Sequence, residues 1–176
     1  LKENITILDV RSVEDFSSSH IPGSIFIGLD GRFAPWVGEI LEDISKKLIL
    51  VAPEGREKEA IIRLSRVGFD NVIGYLKGGV NSWIKNGGMI SKVFNESASK
   101  FSTCDNNKDI LDVRSKNEYK SESLQNSINI PLINLSESID KIFFEEKFYV
   151  HCKGGYRSMI ASSILLANGI SNFSNI

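Results

Sequence analysis

The feature of the sequence that most limits its fold is an internal repeat. The segment "ITILDVRSVEDF" at 5–16 is matched by "KDILDVRSKNEY" at 108–119, and "LILVAPEG" at 48–55 is matched by "FYVHCKGG" at 148–155. Because the matching segments follow one another in the same order, they indicate a duplicated structural unit rather than chance similarity. The sequence therefore predicts two copies of one domain.

The length of the chain agrees with two small domains, since 176 residues exceed the size of one typical small domain. We predict a first domain at 1–92, a linker at 93–101 and a second domain at 102–176. The first copy continues with "LKGGVNSWIKNGG", which has no counterpart before Ile176. We therefore expect the second domain to be truncated at its C-terminus.

Each copy alternates short apolar runs with segments of helical spacing. The predicted strands are 5–10, 48–52, 110–113 and 148–151, and the predicted helices are 57–67 and 157–168. Gly68 and Gly169 stand where helices of this kind commonly end. Alternating strands and helices favour an α/β fold built on a mostly parallel sheet.

Composition and charge exclude several classes of function. The net charge is −1, so nothing favours a nucleic acid or an anionic membrane as a partner. No apolar run approaches the ~20 residues of a membrane-spanning helix. Two cysteines are few for a small secreted scaffold, so we expect a reducing, cytoplasmic location.

The loop after the predicted strand 148–151 carries the chemistry. Cys152 ends the strand, Gly154 and Gly155 follow, and a helix then begins. Backbone N–H groups at a helix start stabilise negative charge, and the glycines let the loop curl so that these groups converge. Lys153 and Arg157 add positive potential. This pattern favours a reactive thiolate over a buried structural cysteine.

The loop "CKGGYRS" resembles the C-x-x-G-x-R-[ST] loop of rhodanese sulfurtransferases, and the paired "LDVR" segments and "HIPGS" resemble other features of that family. The resemblance implies two three-layer domains, each with a roughly five-stranded parallel sheet. It also implies that Cys152 accepts a sulfane sulfur as a persulfide, with no other cofactor. The implied anion-binding loop consists of Lys153, Gly154, Gly155, Tyr156 and Arg157. Its partners would be small sulfur-containing anions or low-molecular-weight thiols.

Two other functions compete with sulfur transfer. Cysteine-based phosphatases use a C-x5-R loop, whereas Cys152 and Arg157 form the shorter C-x4-R, which disfavours phosphatase or arsenate reductase activity. The tandem could instead be a non-catalytic docking or regulatory module. Sulfur addition to Cys152 distinguishes the module from the enzyme.

The first copy lacks a nucleophile, because no cysteine occurs within residues 1–103. Its loop is "VAPEGREKE", in which we place Pro53 at about the position of Cys152. Segments 28–41 and 50–79 resemble the degenerate central domain of fusion proteins that begin with a metallo-β-lactamase-fold persulfide dioxygenase. The resemblance leads us to expect that the chain, which starts at Leu1, is the C-terminal tandem of such a fusion and lacks the metal-binding domain.

The remaining candidates are mostly structural. Asp112 and Arg114 are predicted to support the loop, with Arg114 paired to Glu118, or with Asp112 bracing Arg157. In the first copy, Arg11 is expected to pair with Glu14 or Asp15.

The two histidines and the second cysteine, Cys104, are the other candidate site residues. We expect His20 to be a locally hydrogen-bonded turn residue, and His151 to have no direct catalytic role. Cys104 lies in a polar segment and is expected to be a bystander. This set is too dispersed for a metal site. An aromatic insert of Phe33, Pro35 and Trp36 favours core packing or a domain interface over substrate binding.

Overall fold

The computed structural model describes residues 5–103, 108–144 and 146–176. Cys104 lies outside this part of the chain, so its predicted bystander role remains a prediction. The chain divides into two compact units, Leu1–Lys92 and Val93–Ile176. Both are α/β units, which confirms the predicted fold class. No helix among the described residues is long and apolar enough to cross a membrane.

The first unit contains four strands and four helices within its described residues. They are, in chain order, β1 (Ile5–Asp9), α1 (Val13–Ser18), β2 (Ile25–Phe26), α2 (Phe33–Leu41), β3 (Lys47–Val51), α3 (Glu57–Ser65), β4 (Val72–Tyr75) and α4 (Gly79–Lys85).

The second unit repeats this order in part. Its elements are α5 (Ala98–Thr103), β5 (Ile110–Asp112), α6 (Lys116–Ser121), β6 (Ser127–Asn129), β7 (Phe148–His151), α7 (Tyr156–Ala167) and β8 (Phe173–Asn175). Two short 3-10 turns, Leu132–Asn134 and Ser136–Lys141, precede β7.

Each unit is built on one parallel sheet of four strands. The orders are β2-β1-β3-β4 and β6-β5-β7-β8, so the two copies share one topology. The resemblance implied roughly five strands, and the described residues supply four to each sheet. Because the strands are parallel, their carboxyl ends lie on the same side of the sheet, and so do the loops that follow β1 and β3, or β5 and β7. In open parallel sheets, ligands bind next to the carboxyl ends of the strands.

The core of the first unit packs α2 and α3 against the sheet. Phe33, which is fully buried, and the partly buried Trp36 lie in the same apolar cluster as Leu8 and Leu50. Phe33 and Trp36 of the aromatic insert are therefore core packing, one of the two roles expected of it, whereas Pro35 is exposed.

Helix α7 is the most deeply buried helix of the described second unit. All eight residues from 158 to 165 are buried, although three of them are serines. Two of these serines return their hydroxyl groups to the helix: Ser162 donates to the Ser158 carbonyl and Ser163 to the Ile160 carbonyl. Polar groups that are hydrogen-bonded in this way tolerate burial, so the helix can run through the core behind the Cys152 loop.

The segment predicted as a linker belongs to the second unit. Asn95 forms a parallel bridge with Asn175, and the Asn175 side chain donates to Asn95 Oδ1 over 2.8 Å. Glu96 forms ion pairs with Lys100 and Lys147. These contacts hold residues 94–96 beside β8, the outer strand of the sheet, and so pair backbone groups of Asn175 that the sheet itself leaves unpaired.

The turn before β2 in the first unit and the equivalent turn before β6 in the second have the same geometry, although their sequences differ. The Ser24 hydroxyl donates to the Ile21 carbonyl, and the Ser127 hydroxyl makes the equivalent bond to the Leu124 carbonyl. Gly23 has φ +79°, and Asn126 has φ 61° in its place. Asparagine is one of the few residues that adopt this conformation readily, so the second copy keeps the turn with an asparagine in place of the glycine.

Candidate active site around Cys152

Cys152 occupies the junction between β7 and α7. Strand β7 ends at His151, and α7 begins at Tyr156 with Gly155 as its N-cap. Gly155 has φ +81°, a left-handed conformation that side-chain-bearing residues adopt only at a cost. This residue turns the chain sharply enough to bring the first N–H groups of α7 back over the cysteine.

The Cys152 sulfur is held by backbone amides. The Gly155 N–H donates to Sγ over 3.2 Å and the Ser158 N–H over 3.3 Å. N–H groups in the first turn of a helix have no carbonyl partner within the helix, so the sulfur satisfies donors that would otherwise be unpaired. Cys152 is only 4% exposed, and its burial is therefore in an amide-lined site rather than in purely apolar packing. Such an arrangement stabilises negative charge on sulfur.

Ser158 is a site residue that the sequence-based assignment omitted. The Cys152 thiol donates to the Ser158 hydroxyl over 3.3 Å, and that hydroxyl donates to the Gly155 carbonyl over 3.1 Å. When the sulfur is ionised, the same hydroxyl is placed to turn and donate to it. The resembling motif ends in Ser or Thr, and this position was the available signal.

Arg157 is paired with a carboxylate. Its two terminal nitrogens contact the two Glu118 oxygens at 2.7 and 2.8 Å. This contact lowers the pKa of Glu118 to about 2 and raises the pKa of Arg157. The predicted pairing of Arg114 with Glu118 is therefore wrong, because Glu118 faces α7 from α6. The alternative of Asp112 bracing Arg157 is also not found, since the carboxylate that holds Arg157 is Glu118.

Asp112 and Arg114 instead pair with each other. Arg114 Nη2 lies 2.6 Å from Asp112 Oδ2, and Arg114 also donates to the Glu122 carbonyl. The first copy repeats this pair, with Arg11 Nη2 2.7 Å from Asp9 Oδ2. The expected pairing of Arg11 with Glu14 or Asp15 is therefore wrong. Each buried aspartate is the last residue of its strand, and an arginine two residues later compensates its negative charge.

The other predicted loop residues lie towards solvent. Lys153 and Gly154 are exposed, and Tyr156 is half-buried. A cleft of about 590 Å³ opens beside the loop. Its lining includes Lys153, His151 and Glu118, with Leu124 as an apolar wall. Lys153 forms no ion pair within the described residues, so its charge is available to a ligand in this cleft.

His151 lines the cleft, and its imidazole lies near the Asp112 carboxylate. Its Nδ1 lies 3.7 Å from Asp112 Oδ2 and has no hydrogen-bond partner in the part of the chain that the structure describes. Burial lowers the pKa of the imidazole, which favours the neutral ring. Among the described residues, no cluster of His, Cys, Asp and Glu could hold a metal ion.

His20 belongs to the packing of the first unit. It is 1% exposed, its Nδ1 lies 2.9 Å from the Phe16 carbonyl, and its ring stacks on Phe16 at 4.0 Å. The Nδ1 therefore carries the proton and donates to that carbonyl, as expected for a locally hydrogen-bonded turn residue.

The strand registers correct the alignment of the two loops. Asp9 pairs with Val51 in the first sheet, and Asp112 pairs with His151 in the second. The residue that replaces Cys152 is therefore Ala52, and the prediction of Pro53 at this position is off by one residue. Gly55 has φ +81°, the same value as Gly155, so the loop geometry is kept while the nucleophile is lost.

The charge of the first loop is reversed. By the same register, Glu57 stands where the second copy has Arg157. Asp15 stands where the second copy has Glu118, since each is the third residue after a serine N-cap, Ser12 or Ser115. A cleft of about 640 Å³ remains beside this loop, lined by Asp15, Glu57 and Ala52 among others. The first unit thus keeps the cleft without the sulfur or the cationic loop.

Comparison with known proteins identifies the family. A model of the "Rhodanese-like domain" matches residues 1–86 and 96–176. The chain belongs to the rhodanese-like family. The two matches correspond to the two copies of the internal repeat, so the chain is a tandem of rhodanese-like domains.

Two curated proteins illustrate the relationship. A putative thiosulfate sulfurtransferase, mitochondrial, of Schizosaccharomyces pombe is 32% identical over 97 residues, which cover 48% of this chain and 67% of that protein. The putative sulfur carrier protein YrkF of Bacillus subtilis is 32% identical over 77 residues, covering 43% of this chain and 40% of that protein. The chain thus spans less than half the length of the second of these relatives.

The solved structures to which the chain is similar are more distant in sequence. A thiosulfate sulfurtransferase from Pseudomonas aeruginosa is 21% identical, with a TM-score of 0.45, and the match covers 98% of this chain and 37% of that one. The 3-mercaptopyruvate sulfotransferase SseA from Escherichia coli is 17% identical, with a TM-score of 0.42, and the match covers 98% of this chain and 91% of that one.

Proposed function

We propose that the second rhodanese-like unit is a sulfurtransferase that carries sulfane sulfur as a persulfide on Cys152. The observation that carries this proposal is the pair of amide hydrogen bonds from Gly155 and Ser158 to the Cys152 sulfur. Two N–H donors at the start of a buried helix stabilise both a thiolate and the terminal sulfur of a persulfide. The names of the related proteins support the same reaction class.

The proposed first half-reaction is a displacement at sulfur. The Cys152 thiolate attacks the outer sulfur of thiosulfate, a sulfur–sulfur bond forms, and the sulfur–sulfur bond of the donor breaks. Sulfite leaves with the electron pair. The products are Cys152–S–S⁻ and sulfite, and the total charge is unchanged. Lys153 and the helix amides offset the negative charge that builds up during this step.

The proposed second half-reaction returns the free cysteine. A nucleophilic acceptor attacks the outer sulfur of the Cys152 persulfide, an acceptor–sulfur bond forms, the sulfur–sulfur bond of the persulfide breaks, and Cys152 leaves as the thiolate. A low-molecular-weight thiol, sulfite or cyanide has the required nucleophilicity. The sulfur atom itself is the carried group, and the proposal needs no bound organic cofactor.

The first unit is proposed to be non-catalytic. Ala52 stands at the nucleophile position, and Glu57 opposes the binding of an anion there. Its preserved fold and cleft favour a scaffolding or docking role. The loss of the nucleophile at Ala52 thus supports the alternative of a non-catalytic docking module for the first unit.

We also propose that the tandem is the C-terminal part of a longer protein of the persulfide dioxygenase–rhodanese type. The support is the sequence resemblance of segments 28–41 and 50–79. A persulfide dioxygenase on the same polypeptide would consume persulfides, the kind of compound that Cys152 is proposed to form or to take sulfur from. The reading frame upstream of Leu1 tests this: a metallo-β-lactamase-fold sequence there is expected, and a different domain would contradict it.

Mass spectrometry of the intact chain tests the catalytic proposal. After treatment with thiosulfate or polysulfide, we expect the addition of one sulfur atom that maps to Cys152. The Cys152→Ser variant, which keeps size and hydrogen bonding, is the control and should gain no sulfur. A folded wild-type chain that never gains sulfur would leave only the docking or regulatory role.

A further inference from the structure

The Arg157–Glu118 ion pair removes the charge of one of the two loop cations. Arg157 is 22% exposed and Glu118 36% exposed, and two short contacts join them in a bidentate arrangement. Paired guanidinium and carboxylate groups present little net charge to a ligand a few ångströms away. The pair lies at the cleft, since Glu118 contributes to its lining. In the described part of the loop, Lys153 is therefore the cation whose charge is uncompensated.

The capping function of Glu118 does not require the ion pair. Glu118 completes a capping box with Ser115 at the start of α6. In the first unit, Ser12 caps α1 through its side chain, which accepts from the Asp15 N–H and donates to the carboxylate of Asp15, the residue equivalent to Glu118. Among the residues that the structure describes in this unit, Asp15 forms no ion pair with α3, where Glu57 replaces the arginine. The ion pair therefore accompanies the cysteine-bearing loop rather than the cap.

We propose that Glu118 is a positioning residue that sets donor selectivity: by holding and neutralising Arg157, it makes the Cys152 site favour hydropersulfides of uncharged thiols over the thiosulfate dianion. This inference rests on the proposed sulfur transfer and adds to it the class of donor. A dianion would gain from two free cations at the loop, whereas a hydropersulfide needs little charge compensation.

The favoured step balances without a further reactant. The Cys152 thiolate attacks the outer sulfur of R–S–SH, and the sulfur–sulfur bond of the donor breaks. The thiolate R–S⁻ leaves with the electron pair, and Cys152–S–SH forms. The single negative charge is on the Cys152 thiolate before the step and on the departing thiolate R–S⁻ after it, so the site never holds a dianion.

Glu118→Gln tests this inference without removing the cap, because glutamine also completes a capping box at this position. We expect the KM for thiosulfate to fall on the order of fivefold with kcat changed less than about twofold, since the gain is in electrostatic attraction of a dianion. The KM for the hydropersulfide of 2-mercaptoethanol should change less than about twofold. The KM for thiosulfate should also become more sensitive to ionic strength, which a purely structural role would not produce.

Two controls isolate the ion pair. Glu122→Gln makes the same charge change in the lining of the same cleft without touching Arg157, and should lower the thiosulfate KM by less than about twofold because exposed charges are screened. In an Arg157→Gln background, Glu118→Gln should lose most of its effect. If Glu122→Gln reproduces the change, or if both donors respond equally to Glu118→Gln, the inference is overturned.

The two proposals fail in different ways. Wild-type chain that takes sulfur onto Cys152 from neither donor removes the sulfurtransferase function and the inference with it. Wild-type chain that takes sulfur from both donors, with a donor preference unaffected by Glu118→Gln, leaves the function intact and removes only the role of Glu118.

Discussion

Replacing Gly155 by alanine separates the strain of the loop from its function, because the chain contains a matched control. Gly155 and Gly55 both have φ +81°, and a Cβ added at either would meet nothing within 4 Å. Each change therefore introduces backbone strain without a steric clash. A left-handed conformation costs an L-residue ~1–2 kcal/mol relative to glycine, and both variants should lose about this much stability.

The expected change in melting temperature follows from the size of the units. For domains of 60–100 residues, ~1 kcal/mol lowers Tm by roughly 4–8 °C, so a loss of ~1–2 kcal/mol corresponds to roughly 4–16 °C. Differential scanning calorimetry should show a loss of this size for the second unit in Gly155→Ala and for the first unit in Gly55→Ala. The two variants should thus be similarly destabilised in their respective units.

Function should distinguish the two variants. The Gly155 N–H donates to the Cys152 sulfur, so strain at this residue displaces an amide that stabilises the thiolate. Well below both melting temperatures, Gly155→Ala should slow persulfide formation on Cys152 on the order of tenfold, less than the ~100-fold or more of losing one oxyanion donor, because the amide is displaced and not removed. Gly55→Ala should leave that rate within about twofold. Equal slowing in both variants, or no slowing in Gly155→Ala, would refute the assignment of the amide to catalysis.

Three further outcomes are expected. Ser158→Ala should slow persulfide formation about tenfold with a smaller change in Tm, measured by rapid quench and calorimetry, because the hydroxyl next to the sulfur is lost. Ala52→Cys should place a thiol in the first loop that gains sulfur from thiosulfate at least ~100-fold more slowly than Cys152 in intact-mass time courses, since Pro53 replaces the cationic Lys153 and Glu57 adds a negative charge. Burial lowers the pKa of His20 below its ordinary value of 6.5, so its protonation disfavours folding. The first unit should therefore have its full stability above about pH 6.5 and lose stability as the pH falls towards about 5, and urea midpoints should show less of this loss in His20→Gln.

The duplicated α/β architecture was predictable because it depends on local patterns. Apolar runs at strand spacing and helical periodicity are properties of short segments, and they located β3, β7, α3 and α7 to within a few residues. Gly68 and Gly169 follow helix ends with φ +87° and +82°, as their positions predicted. These features depend on backbone preferences that a single segment reveals.

The ion pairs of the site were not predictable in the same way. The partner of Arg157 is 39 residues away in sequence, and only the packing of α6 against the loop brings Glu118 to it. Short spacing favoured Arg114 with Glu118 instead, but the buried Asp112 competes more strongly for that arginine. The counterpart of Cys152 was predicted one residue too late, at Pro53, although the matched segments 48–55 and 148–155 already align Ala52 with Cys152; the strand register agrees with that alignment.

A label chase with thiosulfate carrying an isotope in its outer sulfur tests sulfur transfer through Cys152 most directly. The account predicts one labelled sulfur per chain, one sulfite released with it, and loss of the label to an added low-molecular-weight thiol. Label that binds equally to the Cys152→Ser variant, or label that stays on the protein after the thiol is added, would contradict a carrier role for Cys152.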